Sequence, residues 1–190
     1  IQAERATFNR AFTTIYRDIV QYYPNATLKA VDPLGKSVST TAGDFAGDLV
    51  NIIPPQRAPA LLTGSGLTAG GLWAPVNPIS YESGVPGFAG VHIIGDAQAT
   101  RQPKSAHMAN SQAKVCADAV LRMLAGQAID GAERLRNLTT NSACYSPITN
   151  RQASWLTAVY AYNAATGSMD VSSLAESERW SSGQYEDMFG

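Results

Sequence analysis

Val91-His92-Ile93-Ile94-Gly95-Asp96-Ala97 is the stretch on which the fold of this chain turns. The apolar run Val91–Ile94 fits a short buried strand. Gly95-Asp96 ends it. In open α/β sheets, ligands bind at the carboxyl ends of strands. Gly95 lets backbone approach a ligand closely, and Asp96 offers a carboxylate to sugar-like hydroxyls. Asp96 reads equally as a turn or helix-capping residue. A polar loop, Ala97–Lys104, leads to Ser105 at the N-cap of a helix that runs to about Ala125. Ala109, Ala113, Cys116, Val120 and Met123 share one face, widened by Val115, Ala119 and Leu124. This predicts a largely buried helix, stopped at Gly126. Its first turn, at Ser105 and Ala106, has unpaired N–H groups and about +0.5 charge, to which Lys104 adds. That suits an anion or a developing negative charge; an ordinary solvent-capped helix is the plain alternative.

Upstream, Phe8, Phe12, Ile15 and Ile19 space an amphipathic helix over residues 4–22, ended by Pro24-Asn25. Thr27–Val31 and Lys36–Thr41 read as a hairpin about Asp32-Pro33-Leu34-Gly35. Gly47–Ile53 reads as a buried strand stopped by Pro54-Pro55, which cannot donate to a ladder. Pro59–Leu72 reads as helical and then glycine-rich, and Trp73–Glu82 as irregular or a strand. Downstream of about residue 130 the texture changes. Cys144–Thr149 and Trp155–Tyr162 read as strands, with a turn at Asn163–Gly167 and a return over Ser168–Val171. Leu174–Met188 reads as a weak helix that buries Trp180, Tyr185 and Phe189. The sum is an α/β part and a smaller α+β part.

Composition narrows the function. The chain has 190 residues and a net charge of -1. It is long enough for a real core and lacks the basic excess of a nucleic-acid binder. No run approaches the ~18 apolar residues of a membrane span. Charged residues are only 15%, against about 25% in typical domains, so either the core is large or some surface is meant to be covered. Two cysteines cannot make a disulfide scaffold, and neither C-x-x-C nor C-x-x-C-H occurs.

Other motifs add less. Gly64-Ser65-Gly66-Leu67-Thr68-Ala69-Gly70 places its third glycine one residue late for a dinucleotide fingerprint and reads as a flexible turn. His92 and His107, the two histidines, lack a carboxylate cluster for a metal, and no G-x-S-x-G elbow occurs. Cys116, on the apolar helix face, reads as a packing thiol. Cys144 lies in the polar stretch Thr140-Asn141-Ser142-Ala143-Cys144-Tyr145-Ser146-Pro147 and is a candidate reactive thiol.

Four ordered blocks carry a resemblance. Asp48-Leu49-Val50-Asn51-Ile52-Ile53-Pro54-Pro55-Gln56-Arg57-Ala58 resembles the D-x-x-N-x-I-P-P-Q-R-A stretch of the flavoprotein subunit of flavocytochrome c sulfide dehydrogenase. Val91–Ala97 is similar to that family's strand and flavin-contacting Gly-Asp. Pro103-Lys104-Ser105 with Ala109-Asn110-Ser111-Gln112-Ala113-Lys114-Val115 is similar to its P-K-S…A-N-S-Q-x-K-V helix start. Asn141 with Cys144-Tyr145-Ser146 is similar to its N-x-C-Y-S stretch, one residue longer here. The likeness covers residues 44–190; residues 1–43 match only in pattern.

The resemblance implies a partial glutathione-reductase-like architecture. Residues 1–43 would end an NAD-like domain, 44–130 would be the carboxyl-terminal portion of an FAD-binding domain, and 131–190 a small flavin-covering domain. It implies FAD as cofactor, contacted by Gly95, Asp96, Lys104, Ser105 and Ala106, with Pro54, Pro55, Gln56 and Arg57 on its far side. It implies sulfide as substrate, Cys144 as the second member of a redox pair, a c-type cytochrome subunit as partner and a periplasmic location in bacteria. The family's first Rossmann unit and first redox cysteine would precede Ile1, so the chain reads as a fragment lacking its amino-terminal half. Cys116 falls where the family has a small helical residue, His107 replaces an aromatic one, and the Ala97–Gln102 loop differs. The fragment alone is expected to be inactive. The alternatives are a related FAD-dependent disulfide, quinone or NADH oxidoreductase, and a non-catalytic module that docks a cytochrome or forms a homo-oligomer.

Overall fold

The computed structural model describes residues 2–177 and 179–189. The chain is a mixture of helices and strands, as the sequence predicts, and both of its sheets are three-stranded and antiparallel. It divides into two compact units, with the division at Pro55/Gln56.

The first unit holds α1 (Gln2–Thr14), β1 (Leu28–Asp32), β2 (Ser37–Thr40) and β3 (Gly43–Ala46). The predicted helix over 4–22 ends early. Thr13 and Thr14 turn their hydroxyls back onto the carbonyls of Asn9 and Arg10, at 2.8 and 2.7 Å. Such back-bonding competes with helix continuation. The predicted hairpin forms with Val31 opposite Val38 and Asp32 opposite Ser37. The Asp32 carboxylate closes its turn by accepting from the amides of Leu34 and Gly35, at 3.0 and 2.9 Å. β3 extends the sheet beyond β2. Aromatic contacts supply local packing: Phe12 meets Tyr22, and Tyr23 meets Phe45, with ring centroids 5.2 and 4.8 Å apart.

Gly47–Ile53 is not a buried strand. It pairs with no strand, and Leu49 and Ile53 are 87% and 80% exposed. Apolar β-propensity needs a neighbouring strand to be realised, and none of the described residues supplies one.

The second unit contains α2 (Ala60–Gly64), α3 (Ala106–Leu124), α4 (Ala132–Asn137), β4 (Thr139–Thr149), β5 (Gln152–Asn163), β6 (Ser168–Glu176) and α5 (Ser182–Phe189). The three strands form a meander in chain order. β5 shows why: Ser154, Leu156, Ala158 and Tyr160 alternate inward with half-exposed neighbours, the period of a one-sided strand. One core joins residues on both sides of position 130, with Ile79, Met108, Leu138, Ala158, Tyr160 and Met169 in contact. Residues 65–104 are mostly turns and isolated bridges around a smaller cluster of Leu67, Ala74 and Ile93.

Three further expectations are corrected. Val91–Ile94 is not a sheet strand; only one antiparallel bridge, Glu82 to His92, forms there. Ile93 is buried while Val91 and Ile94 point outward. Helix α3 runs where predicted, but it is not largely buried, since Leu121 and Leu124 are 68% and 81% exposed. Its inward face is Met108, Ser111, Gln112 and Ala119, because the two polar residues have interior partners. Cys116 is accordingly half-buried, and desolvation pushes its thiol above the ordinary value. Last, Leu174–Glu176 belongs to β6, and the terminal helix starts only at Ser182. The side chains of Met188 and Phe189 lie outside the described residues.

Arg134 pins the second unit. Its side chain is 7% exposed and its Nε donates to Asp118 at 2.6 Å. Its other nitrogens donate to the carbonyls of Ile129 and Ile79 at 2.7 and 3.0 Å. Arg134→Met should therefore cost about 2–3 kcal/mol in urea unfolding, because buried carbonyls lose their donor. Arg122, on the exposed side of the same carboxylate, should cost less than about 0.5 kcal/mol as Arg122→Ala.

The Arg134 hydrogen bond, opposed by desolvation and aided by Arg122, holds the Asp118 carboxyl below its usual 3.8. A depressed carboxyl contributes stability above the unfolded value and loses it as pH falls through the folded one. The stability gap between the parent and Asp118→Asn should thus be flat from about pH 5 to about pH 8 and close below 3.8. Urea midpoints along an acid series measure it.

Candidate functional site

The amino-terminal end of α3 gathers most of the predicted site residues. Ser105 is its N-cap as expected: the hydroxyl accepts from the Met108 amide at 3.2 Å. Helix geometry leaves the amides of Ala106 and His107 without intrahelical acceptors. Gly95 sits beside the helix with φ +72°, a left-handed conformation that favours glycine. A Cβ there would lie 3.4 Å from that of Ala109. The Gly95 amide donates to Gln112 Oε1 at 2.7 Å, so the turn is fastened to the helix. The Asp96 side chain is exposed.

Lys104 is engaged on the inside of this turn. Its ammonium donates to the carbonyls of Asp96 and Gln98, both at 2.7 Å, and lies 3.9 Å from the centroid of the Trp73 ring. Desolvation lowers its pKa, with the Asp96 charge acting in the opposite direction. Lys104 therefore braces the 95–98 turn as well as adding charge near the helix end.

β4 brings the thiol. Thr140, Ser142 and Cys144 share one face of the strand by the two-residue period. Ser142 Oγ is 3.0 Å from Ser105 Oγ and 3.9 Å from Cys144 Sγ. Cys144 is half-buried, with a free thiol. A second link joins Asn141 to the helix start: its backbone N–H donates to Ser111 Oγ at 3.0 Å, and its side-chain Nδ2 donates to His107 Nε2 at 3.2 Å. Gly95, Asp96, Lys104, Ser105, Ala106 and Cys144 thus belong to one region.

Four candidates remain. Pro54 and Pro55 close the first unit, and Gln56 and Arg57 open the second. All four are exposed, and Gln56 and Arg57 make no hydrogen bond to the α3 cluster.

Sequence reading missed the polar interior behind this site. Tyr81, Gln98, Gln102, Gln112 and Thr140 are all buried. The Gln102 carbonyl accepts from the Tyr81 hydroxyl at 3.0 Å, from Thr100 Oγ1 at 3.0 Å and from Gln112 Nε2 at 3.1 Å. Burial pushes the Tyr81 phenol up to about 12, against the opposing hydrogen bond to Gln102. Gln98 is fully buried and its Nε2 has no acceptor, a donor left over inside the turn. The available signal was Gln112, a polar residue four positions after Met108 on an inward face.

Among the described residues, no group of three or more His, Cys, Asp or Glu could hold a metal ion. No described helix is long and apolar enough to cross a membrane. No family model matches the chain.

Two substitutions test this local geometry by urea unfolding. Gly95→Ala forces a side chain into a left-handed backbone and is expected to cost about 1–2 kcal/mol. Ser105→Ala removes the cap and is expected to cost about 1 kcal/mol.

Proposed function

We propose that this chain is part of an FAD-dependent sulfide dehydrogenase of the flavocytochrome c type, glutathione-reductase-like in architecture. In the intact enzyme, which acts in the bacterial periplasm, sulfide is oxidised through a cysteine disulfide and electrons pass to a c-type cytochrome subunit. One observation carries the reading: a half-buried thiol, a Gly-Asp turn and the start of a long helix meet in a single region, although Asp96 and Cys144 are far apart in sequence.

The residues fit a cofactor with hydroxyls and an anionic edge. Asp96 presents an exposed carboxylate that can accept from hydroxyls. The first-turn amides of α3 offer donors and a partial positive charge. Gly95 leaves the approach open, with no side chain in the way.

The roles of the chain's own groups follow. Sulfide attacks a disulfide of which Cys144 is one half; the S–S bond breaks, a persulfide forms on one sulfur and the other leaves as thiolate. Ser142 lies within reach to donate a hydrogen bond to sulfur at Cys144. The amides of Ala106 and His107 favour negative charge developing in front of the helix, an electrostatic contribution that needs no reorganisation. Lys104 keeps the Gly95-Asp96 turn in place and adds to that positive potential. FAD, when bound, supplies the two-electron acceptor for the thiolate.

The test is Cys144→Ser in the intact enzyme. Sulfide turnover should fall to background while the flavin absorption bands persist. Turnover at the parental rate would falsify the scheme.

A further inference from the structure

We infer that Gln102 is a positioning residue whose buried side-chain amide couples the Gly95 turn to β4, the strand that carries Cys144. Its functional meaning rests on the reading proposed above for Gly95 and Cys144. The coupling itself belongs to the chain and can be measured without cofactor or substrate.

The hydrogen bonds form a directed chain. The Gly95 amide can only donate, so Gln112 must present its Oε1 there, at 2.7 Å. Gln112 Nε2 must then face inward, where it donates to Gln102 Oε1 at 3.1 Å. That fixes the second amide in turn, and Gln102 Nε2 donates to Thr140 Oγ1 on β4. Each glutamine accepts at one end and donates at the other, so its orientation is set by its neighbours. Tyr81 and Thr100 also donate to Gln102 Oε1, both at 3.0 Å, which locks this amide in place. Gln112 is fully buried, and Gln102 and Thr140 are 3% and 2% exposed, so water does not compete for these bonds. Bonds of this kind polarise one another and are costly to leave half made. Thr140 and Cys144 lie on the same face of one strand. A shift of β4 therefore reaches Gly95 through two amides, and a shift of Gly95 reaches the cysteine strand by the same path.

The experiment uses the 190-residue chain and two site-resolved readouts, amide exchange at Gly95 and iodoacetamide alkylation of Cys144. Thr140→Val keeps shape but removes the acceptor on β4. It is expected to raise Gly95 exchange at least about fivefold, while amides of α4 and β6 keep parental rates. Gln112→Leu, on α3, is expected to change the Cys144 alkylation rate by a comparable factor. Thr140→Ser retains the hydroxyl and should keep Gly95 exchange at the parental rate. The proposal is overturned if Thr140→Val and Gln112→Leu alter only overall stability, with Gly95 exchange moving in step with α4 and Cys144 alkylation unchanged. Should Gln112→Leu fail to fold, the near-isosteric Thr140→Val and Thr140→Ser pair decides alone through Gly95 exchange. The redox reading stands or falls separately, on the Cys144→Ser enzyme.

Discussion

Helix α3 turns polar side chains inward, and the second unit is arranged to satisfy them. Ser111 and Gln112 are buried on the face that an apolar helix would give to Leu or Val. A buried amide without partners costs about 1–3 kcal/mol, so each must find them. Gln112 finds Gly95 and Gln102. Ser111 finds Asn141. Those partners fix the turn before the helix and the strand beside it. The apolar residues do the ordinary work of burial, with Met108 and Ile79 packed against β5 and β6 residues. They leave register loosely specified, since hydrophobic contact is not directional. The amides and hydroxyls specify which residues of β4 face the helix start.

The same division of labour explains Arg134. The guanidinium ties α4 to α3 by reaching Asp118 and the main-chain carbonyls of Ile129, Ile79 and Val115. A planar fork with five donors suits a place where several acceptors converge. Lys104 plays a smaller version of the part on the 95–98 turn, between two carbonyls and an indole face. Both cations are spent mainly on main-chain oxygens, which is how a loop-rich segment such as 65–104 keeps a defined course with few strand pairs.

Legibility from sequence followed the range of the signal. Ser105 announced its cap and α3 its length, because both depend on neighbours within a turn or two. The β5 alternation and the Asp32 turn were legible for the same reason. The apolar runs at 49–53 and 91–94 misled because a strand is a property of a pair, and the chain gives neither run a partner strand among the described residues. Leu121 and Leu124 looked buried on the helical wheel, yet apolar periodicity cannot say which neighbours exist. Cys144 and the Gly-Asp turn could be nominated one by one. Composition and periodicity alone did not show the contacts that join them, which pass through Gln102, Gln112, Thr140 and Ser142, polar residues of which only Gln112 stood out by its position in a helix.

The meander of β4, β5 and β6 has a kinetic meaning. Its strands pair in chain order across the connections at Asn150–Arg151 and Ala164–Gly167. Each pairing therefore closes a short loop, with a small entropic penalty. The amide junction is the opposite case, gathering residues 81, 102, 112 and 140 from distant parts of the chain. Chains rich in contacts of the first kind fold fast, and contacts of the second kind slow folding because a long loop must close before they form. The meander is therefore the part of the second unit with the smallest entropic cost of assembly, and the region with the candidate chemistry the part with the largest.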